Sequence, residues 1–491
     1  MTVRRRGAAL VGCLIALTAL RLVAAAVVPL APDETYYWVF SRALAPGYLD
    51  HPPMVALWVW AGTAIAGPSA LGVRLLGPLS GLFGTLLLHD AANRIWPDRQ
   101  AGAAAAAFLN ATLLCGVGAV IMTPDTPLLL FWTACLWALV RLLDGGRPAW
   151  WLAIGLFAGL ALASKYTALL LWPGIALWLL WVPSLRRWWR SPMPWAGASL
   201  GALVFLPVVA WNAQHDWVSF LRQGGRVDSW HPSRAVQFIA ELIGGQLGLA
   251  TPLLFPLFVA GLAWATRRAW RDRDPAASLL CTLTLPGAVV FLQHALGDRV
   301  QGNWPAILYP AAAIAAAGLP GRRWCRLRWP AVGLGAAMTL LVYIQAATFA
   351  LPLPARADPL ARQLAGWQGL AGAVDAVRRQ QGAHCVASDE YGVASELARA
   401  LPPDVMVLGV GPRWHLFSLE SPALDTRPCI MVGRPSDVSP TGWREARSIG
   451  VAARTSDGAL VQRFGLWRVA GALPSLSAAV LPAPAAVRQT R

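Results

Sequence analysis

The sequence predicts a polytopic α-helical membrane protein that carries a small α/β domain near its C-terminus. Of the 491 residues, 56% are hydrophobic and only 13% are charged, whereas a soluble protein has about 25% charged residues. The mean hydropathy is +0.50. This composition excludes a cytosolic enzyme, a disordered protein and a fibrous protein. The length allows roughly ten membrane spans of about 20 residues each, with a small domain left over.

Apolar runs predict about eleven transmembrane helices within residues 1–350. No small-residue cleavage site precedes Ala31 and ten further runs follow, so we expect the first run to be an anchor and not a cleaved signal peptide. The runs fall at residues 8–30, 70–93, 101–121, 127–143, 149–164, 166–183, 195–212, 242–265, 277–296, 303–319 and 330–350.

The distribution of arginine predicts the orientation of these helices. Sorted alternately, one set of loops contains 18 arginines, whereas the other set contains five arginines and Lys165, the sole lysine of the chain. The positive-inside rule assigns the arginine-rich loops to the cytoplasm. We therefore expect a cytoplasmic N-terminus and an extracytoplasmic segment after residue 350. Because the basic excess lies mostly in short loops, the net charge of +17 does not predict nucleic-acid binding.

The predicted outer face also collects the acidic and mixed polar clusters. A single cluster would be an ordinary feature of a solvent-exposed loop. Six clusters at the ends of different spans indicate a site assembled at this face. They are Asp33-Glu34, Asp50-His51, Asp125, Lys165, His215-Asp216 and Asp298-Arg299.

Residues 351–472 are predicted to form an extracytoplasmic α/β domain. An amphipathic pattern predicts a helix over residues 358–381. Cys385 and Cys429 could pair if this domain is exported, or remain free thiols. Residues 473–491 are rich in Ala, Pro and Ser and predict a disordered tail. Strands are predicted at 385–387, 405–410, 429–432 and 460–469, and a second helix over 391–401.

Two carboxylates directly follow the first predicted span. Pro32 precedes Asp33 and Glu34, a pattern that favours a helix start with both acids near the positive end of the helix dipole. The next residues predict an aromatic band at headgroup level. Two interpretations stay open: an interfacial helix with a capping acid, or a carboxylate held at the membrane surface as a general base. The band consists of Tyr36, Tyr37, Trp38 and Phe40.

A second polar motif precedes a short apolar stretch. Residues 55–65 are too few to span a membrane and predict a helix that lies in the interface. Pro52 and Pro53 stiffen the preceding turn and fix Asp50 and His51 relative to it. His51 could bind a phosphate as a cation or cap the loop.

Several motifs, taken in their order along the chain, resemble those of the GT-C membrane glycosyltransferases of family 39. This family includes protein O-mannosyltransferases and bacterial lipid A aminoarabinose transferases. The resemblance covers residues 1 to about 470. The motifs are Asp33-Glu34, Tyr36-Tyr37-Trp38, His51-Pro52-Pro53, Thr123-Pro124-Asp125-Thr126-Pro127-Leu128, Ser164-Lys165-Tyr166-Thr167, Gln301-Gly302-Asn303-Trp304-Pro305 and Ser388-Asp389-Glu390-Tyr391-Gly392-Val393-Ala394-Ser395-Glu396-Leu397.

The resemblance implies a GT-C fold in the bacterial inner membrane and an inverting sugar transfer. The donor would be a polyprenyl-phosphate-linked sugar, and the acceptor a hydroxyl of lipid A, a glycan or a protein of the envelope. It also implies that Asp33 takes the proton of that hydroxyl, with the adjacent Glu34 as the other candidate, and that Asp125 shapes the site. No cofactor is predicted. His215, Asp216 and the later His231 lack the spacing of a metal site.

Departure of the donor phosphate needs cations or oriented hydrogen-bond donors and no acid. His51 stands where some relatives have a lysine, so a permanent charge is replaced by one that titrates near neutrality. Lys165 could instead snorkel to the interface, and Arg299 could instead pair with Asp298. The predicted donor-binding residues are Asp50, His51, Lys165, Arg299, Tyr37 and Asn303.

A membrane transporter or flippase of lipid-linked sugars is the main alternative, and a non-catalytic scaffold with a sensor domain is a third. A transporter needs polar groups at the membrane midplane on several spans and discontinuous helices in paired halves. Apart from Arg21, the predicted spans offer few such groups. A charge is costly at that depth, so we expect Arg21 to face the bundle and meet an acid or another polar partner.

Overall fold

The computed structural model describes residues 3–99, 101–225, 230–351, 353–354, 357–422, 427–435 and 438–484. The chain forms two compact units. The first consists of Met1–Val23, Asp50–Val55 and Leu76–Val342, and the second of Ala24–Leu49, Ala56–Leu75 and Tyr343–Arg491.

The second unit starts earlier in the chain than the predicted boundary at residue 350. Residues 24–49 join it because the helix Pro32–Arg42 packs against the helix Tyr391–Ala400. The sequence gives no signal for this contact, since the two helices lie more than 300 residues apart.

Helices make up most of the described chain, as the composition predicts. They are α1 (Val3–Val27), α2 (Pro32–Arg42), α3 (Met54–Ala66), α4 (Ala70–Arg74), α5 (Leu76–Ile95), α6 (Ala101–Ala111), α7 (Leu113–Gly118), α8 (Asp125–Gly145), α9 (Trp150–Leu162), α10 (Leu171–Trp181), α11 (Pro192–Gln214), α12 (Val218–Gly224), α13 (Ala235–Leu249), α14 (Leu254–Arg271), α15 (Pro275–Thr282), α16 (Leu285–His294), α17 (Tyr309–Ala317), α18 (Arg322–Thr348), α19 (Pro359–Leu364), α20 (Trp367–Gln380) and α21 (Tyr391–Ala400).

Six helical segments of the described chain are long and apolar enough to cross a membrane, and two bent helix pairs raise this number to eight. The sequence predicts about eleven spans. The difference arises because α6, α9 and the stretch Trp304–Ala317, which fall in three of the predicted runs, are apolar but short. The six segments are Leu10–Val27, Ala70–Ile95, Asp125–Gly145, Pro192–Gln214, Pro275–His294 and Arg322–Thr348.

Turn residues break two of the predicted spans. The apolar run 242–265 is divided at Thr251, which has a φ of 73°, and at the following proline. As a result α13 and α14 meet at 105°. The run 101–121 is divided at Thr112, whose hydroxyl accepts a hydrogen bond from the backbone N–H of Cys115 at 3.1 Å and caps α7.

Facing glycines bring α9 and α11 close together in the first unit. A Cβ atom added to Gly155 would lie 1.9 Å from the carbonyl oxygen of Gly197, and one added to Gly159 would lie 2.6 Å from that of Gly201. Small residues allow helix backbones to approach in this way within membranes. Fully buried large side chains, such as Trp132, fill the rest of the core.

The second unit contains a six-stranded mixed sheet. Its strands are β1 (Cys385–Ser388), β2 (Met406–Val410), β3 (Cys429–Gly433), β4 (Trp443–Ser456), β5 (Ala459–Ala472) and β6 (Ala478–Val480), in the spatial order β4-β5-β3-β1-β2-β6. β1 pairs in parallel with β2 and β3, whereas the other pairs are antiparallel. Cys385 lies opposite Cys429 in this register, and a disulfide joins them with a Cα–Cα distance of 4.7 Å.

Two elements of the second unit differ from the sequence prediction. The single helix predicted over 358–381 is divided into α19 and α20, because Gly366 adopts a left-handed φ of 80° between them. Strand β4 was not predicted, since much of its surface is exposed and its apolar residues are few. It forms a hairpin with β5 around Asp457 and Gly458, which both have positive φ. That Asp-Gly pair is a hairpin signal present in the sequence.

The tail predicted to be disordered contains a strand. β6 pairs antiparallel with β2, and Ala478 and Ala479 are buried at 7% and 4% exposure. This burial and pairing offset the cost of ordering a short Ala-rich stretch. Residues 485–491, which belong to the same prediction, lie outside the described residues.

Candidate active site

The first unit brings three of the predicted site residues into contact. Asp125 begins α8, while Lys165 and Asn303 each precede a short 3₁₀ helix. Lys165 Nζ donates to Asp125 Oδ1 at 2.7 Å and to Oδ2 at 2.9 Å. Asn303 Nδ2 donates to Asp125 Oδ2 at 2.5 Å. Asp125 and Lys165 are only 7% and 9% exposed, so they form a buried ion pair with an added amide donor.

Helix boundaries explain why these side chains meet. Asp125 occupies the first turn of α8, where the helix dipole favours a negative charge. Lys165 has an extended backbone, with φ of −159° and ψ of 139°, which turns the chain away from the end of α9. Pro305 starts the helix that follows Asn303. Burying two charges is costly, and removal of one partner would leave the other uncompensated.

Asp50 is held by the segment that follows α11. Arg222 Nε donates to Asp50 Oδ1 at 2.8 Å, and Gln223 Nε2 donates to the Asp50 carbonyl oxygen at 2.6 Å. Both partners lie on α12, in the loop region that separates α11 from α13. The carboxylate of Asp50 therefore orients this region of the chain.

The His51-Pro52-Pro53 turn lies beside the segment that carries Lys165. The backbone N–H of Met54, at the start of α3, donates to the carbonyl oxygen of Ala163 at 3.2 Å. Ala163 precedes Lys165 by two residues, and His51 is half-buried. The predicted short helix after this turn is confirmed as α3.

Arg299 pairs with Glu241 and not with Asp298, the alternative that the sequence left open. Its Nε donates to Glu241 Oε2 of α13 at 2.6 Å, whereas Asp298 accepts only from the Arg299 backbone N–H, at 2.7 Å. The Arg299 side chain is 59% exposed. No contact among the described residues joins it to the Asp125–Lys165 pair.

In the second unit, Glu34 forms a fully buried ion pair with Arg74. Arg74 Nε donates to Oε1 at 2.6 Å, and Arg74 Nη2 donates to Oε2. Arg74 Nη1 and Nη2 also donate to the carbonyl oxygens of Val28 and Pro29, at 2.6 and 2.8 Å. The pair thus ties the end of α1 and the start of α2 to α4, which favours a structural role for Glu34. Arg74 was missed in the sequence, although a charge inside an apolar run is the signal of a buried partner.

The neighbouring Asp33 is exposed at the start of α2. Tyr391, the first residue of α21, donates its hydroxyl to Asp33 Oδ1 at 2.9 Å. The guanidinium of Arg413 stacks on Tyr391, with 4.4 Å from Cζ to the ring centroid, and its Nη1 donates to the Tyr36 hydroxyl at 2.8 Å. Tyr391 and Arg413 are the residues around Asp33 that the sequence did not assign to a site.

The predicted aromatic band is buried within the second unit. Tyr36, Tyr37, Trp38 and Phe40 are at most 6% exposed. Tyr37 packs edge-on against Phe40, with ring centroids 5.6 Å apart, and Tyr36 packs against Phe40 at 4.6 Å. The band becomes core because the C-terminal residues of its own unit, such as Phe417 at 5.3 Å from Phe40, cover it.

Close to Glu34, α21 buries a second glutamate. Burial raises the pKa of Glu396 to about 8, and the negative charge of Glu34 adds to this effect. The nearby Arg399 and Arg454 and a hydrogen bond with Thr35 act in the opposite direction. Among the described residues, Glu396 Oε1 has no hydrogen-bond partner. The carboxyl is therefore largely protonated at neutral pH.

Sequence comparison detects a family and two groups of similar proteins. The family model described as dolichyl-phosphate-mannose-protein mannosyltransferase matches residues 50–211. The lipid A galacturonosyltransferase RgtD of Rhizobium johnstonii is 29% identical over 381 residues, which cover 74% of this chain and 76% of RgtD. The undecaprenyl phosphate-alpha-4-amino-4-deoxy-L-arabinose arabinosyl transferase 2 of Proteus mirabilis is 26% identical over 289 residues, 52% of this chain and 49% of that protein.

Structure comparison gives the same result for the fold. The crystal structure of ArnT from Cupriavidus metallidurans bound to undecaprenyl phosphate matches with a TM-score of 0.64 and 14% identity, over 95% of this chain and 98% of that one. The apo structure matches with a TM-score of 0.62 and 15% identity. These similarities show an ArnT-like GT-C fold and support a membrane glycosyltransferase of family 39.

These matches confirm the predicted fold class and enzyme class. The chain is a multi-pass inner-membrane glycosyltransferase that combines apolar spans with a small C-terminal sheet. The alternative of a transporter or flippase is not favoured. The similarity to ArnT extends over almost the whole chain, so it includes both units described above.

Proposed function

We propose that this glycosyltransferase moves a sugar from a polyprenyl-phosphate-linked donor to a hydroxyl of an envelope acceptor, with inversion at the anomeric carbon. The observation that carries the proposal is the buried Lys165–Asp125–Asn303 cluster. The names of the relatives add support, since they describe an undecaprenyl phosphate-linked sugar and lipid A. Lipid A is therefore the first acceptor to test.

Lys165 is proposed to bind the donor phosphate. Its ammonium group has three N–H donors, and Asp125 is its one hydrogen-bond partner in the described part of the chain. Asp125 holds the ammonium in place and Asn303 holds Asp125, so little reorganisation is needed when a phosphate arrives. A lysine is a compact point charge that suits a phosphate. The adjacent turn with Asp50 and His51 is proposed to contribute to the same donor site.

Asp33 is proposed as the base that accepts the proton of the acceptor hydroxyl. In this step the acceptor oxygen forms the new bond to the anomeric carbon, and its proton passes to the Asp33 carboxylate. The bond from that carbon to the phosphate oxygen breaks, and polyprenyl phosphate leaves with the electron pair. Exposure of Asp33 and its hydrogen bond from Tyr391 suit this role better than the buried ion pair of Glu34.

The orientation is also a proposal. The arginine distribution predicts a cytoplasmic N-terminus and an extracytoplasmic C-terminal domain, here residues 351–472 after a membrane domain of residues 1–350. The disulfide between Cys385 and Cys429 supports this, because disulfides persist in the periplasm and are rare in the cytoplasm.

A purified-component assay tests the function. The full-length protein in detergent is given a polyprenyl-phosphate-linked sugar and lipid A, and mass spectrometry follows the acceptor and the released polyprenyl phosphate. The expected result is a gain of one sugar per acceptor and equal release of polyprenyl phosphate. Hydrolysis without acceptor modification, or no reaction with galacturonosyl and aminoarabinosyl donors, would contradict the proposal for lipid A.

A further inference from the structure

Gln246 is a buried polar residue in the apolar helix α13. The residue is only 8% exposed. A buried amide is costly unless its donor and acceptor groups are both hydrogen-bonded. Here both are: Nε2 donates to the carbonyl oxygen of Gly302 at 2.9 Å, and Oε1 accepts from the Tyr309 hydroxyl at 2.8 Å. The glutamine therefore bridges two positions of a distant segment of the first unit.

The Gly302 carbonyl fixes the direction in which the Gln246 amide points. A carbonyl oxygen only accepts hydrogen bonds, so it faces the amide NH₂ group and not the amide oxygen. Oε1 then points to Tyr309, whose hydroxyl is the donor. A reversed amide would bring two acceptor oxygens together at Gly302 and lose that bond. The bridge thus has one arrangement in which both contacts form.

The two positions held by this amide flank a short 3₁₀ helix, Trp304–Leu308. Gly302 lies two residues before this helix, and Tyr309 directly follows it. Asn303 lies between Gly302 and the helix, and its Nδ2 donates to Asp125 Oδ2 at 2.5 Å. The Gly302 carbonyl belongs to the planar peptide group that continues into the Asn303 nitrogen. Holding this oxygen therefore holds the backbone from which the Asn303 side chain departs.

We propose that Gln246 positions the donor phosphate site by fixing the segment that carries Asn303. The inference rests on the proposed function, in which Lys165 binds the donor phosphate. The effect reaches Lys165 through the Asp125 carboxylate, which accepts hydrogen bonds from both Lys165 and Asn303. Binding groups act best when they are held in place before the ligand arrives, and a small displacement weakens them.

The other contact between α13 and this segment is exposed. Arg299 Nε donates to Glu241 Oε2 at 2.6 Å, and the two side chains are 59% and 31% exposed. An exposed ion pair contributes little to stability, because water screens the two charges and long side chains lose freedom in pairing. The buried bonds of Gln246 are therefore the ones expected to fix the position of the segment.

Three variants separate positioning from a general loss of stability. Gln246→Met keeps the length of the side chain and removes both hydrogen bonds. Tyr309→Phe removes one of them and leaves the other. Gln345→Met is the matched control, because Gln345 is a second buried glutamine that bridges two groups, here in the second unit. Its Nε2 donates to Asp358 Oδ2, and its Oε1 accepts from the Leu351 backbone N–H, both at 2.8 Å.

The experiment uses the full-length protein in detergent, labelled with ¹³Cε-lysine. Since Lys165 is the sole lysine of the chain, one NMR signal reports on it. Undecaprenyl phosphate is titrated into each protein to obtain a Kd, and thermal unfolding is followed on the same samples. Steady-state transfer kinetics at saturating donor give kcat.

Gln246→Met should shift the Lys165 signal before any lipid is added and raise the Kd about tenfold. Its kcat at saturating donor should stay within about threefold of the wild type, because the proposed base is unchanged. Tyr309→Phe should show the same changes to a smaller extent, about threefold in Kd, since Gln246 keeps its bond to Gly302. Gln345→Met should unfold at a lower temperature but keep the wild-type signal and Kd.

The inference is wrong if folded Gln246→Met keeps the wild-type Kd and Lys165 signal, or if Gln345→Met weakens lipid binding to the same extent. If Gln246→Met does not fold, an unchanged Kd and signal in Tyr309→Phe overturn the inference. Lys165→Ala identifies a failure of the proposed function itself. If that variant binds undecaprenyl phosphate as tightly as the wild type, the donor site does not include Lys165, and both proposals fail together.

Discussion

Lys165 Nζ lies 2.7 Å from Asp125 Oδ1 in a buried ion pair, and Asn303 donates to the other oxygen of the same carboxylate. Asp125 thus orients the sole lysine of the chain, and Asn303, from a distant segment, orients Asp125. A cation fixed in this way meets an anion without a large cost of reorganisation.

Lys165→Ala should lower kcat/KM for the lipid-linked donor by at least about tenfold, because it removes the cation proposed to hold the phosphate. It should also destabilise the protein by about 3 kcal/mol or more, since Asp125 stays buried and unpaired. Lys165→Arg should retain part of the donor kcat/KM and part of the stability. Donor titrations and thermal unfolding of purified variants measure the two effects. A normal donor KM in a folded Lys165→Ala protein would show that the Asp125–Lys165 ion pair of the wild type has only a structural role.

Asp33→Asn should reduce transfer by about 10²–10⁴-fold and leave the fold intact, because it removes the base from an exposed position. Glu34→Gln should behave in the opposite way. It breaks the buried pair with Arg74, so it should lower the melting temperature, while the folded fraction keeps most of its activity. Activity per folded molecule, with folding measured on the same sample, distinguishes the two. An active Asp33→Asn protein together with an inactive, fully folded Glu34→Gln protein would assign the base to Glu34.

Tyr391→Phe should lower kcat about tenfold and leave the donor KM unchanged. The variant removes the hydroxyl that donates to Asp33 Oδ1 at 2.9 Å, and a hydrogen bond to a charged group is worth about 1.5–3 kcal/mol. The aromatic ring that packs on Arg413 remains. Steady-state kinetics with the donor varied at fixed acceptor measures the effect. If the loss in kcat of Tyr391→Phe is explained entirely by a smaller folded fraction, the contact is structural only.

Glu396 should make the protein less stable as the pH rises. Its pKa is raised by burial from 4.5 to about 8, so the folded state binds the proton more tightly than the unfolded state. This contribution is complete below about pH 4.5 and is lost as the pH rises through 8. Glu396→Gln keeps the side chain neutral at every pH. Its free energy of unfolding should exceed that of the wild type by on the order of 3 kcal/mol at pH 9, seen as a higher melting temperature, but not at pH 5. The exposed Glu445→Gln is the control, and a pH-independent difference would contradict the assignment.

The disulfide between Cys385 and Cys429 should form only if the C-terminal domain is exported. It closes a loop with a sequence separation of 44, so its loss in Cys385→Ser should cost about 3–4 kcal/mol. Maleimide labelling of the denatured protein should modify these two cysteines only after reduction. Reporter fusions after Arg190 should be cytoplasmic, and fusions within residues 360–470 should be extracytoplasmic. A cytoplasmic location of a reporter fused within residues 360–470 would contradict the proposed orientation of the chain in the membrane.

The sequence indicated that Asp125, Lys165 and Asn303 lie at one face, because polar residues followed the ends of apolar spans, and these side chains are in contact in the structure. It could not predict that Glu34 pairs with Arg74, since that contact depends on how α2 and α4 pack. The exposed or buried state of the aromatic band likewise depends on a unit assembled from distant segments. Arg21 shows the converse: its position predicted a buried polar partner, but its Nε and Nη2 have no hydrogen-bond partner among the described residues.

The most direct test is mass spectrometry of the envelope lipids and proteins from a deletion strain. The account predicts that one envelope component, with lipid A examined first, loses the mass of one sugar. The wild-type protein should restore that mass, whereas Lys165→Ala, present in the membrane in equal amount, should restore little of it. If all envelope components keep their sugars in the deletion strain, or if Lys165→Ala restores them as fully as the wild type, the proposed function of the Lys165–Asp125 pair is contradicted.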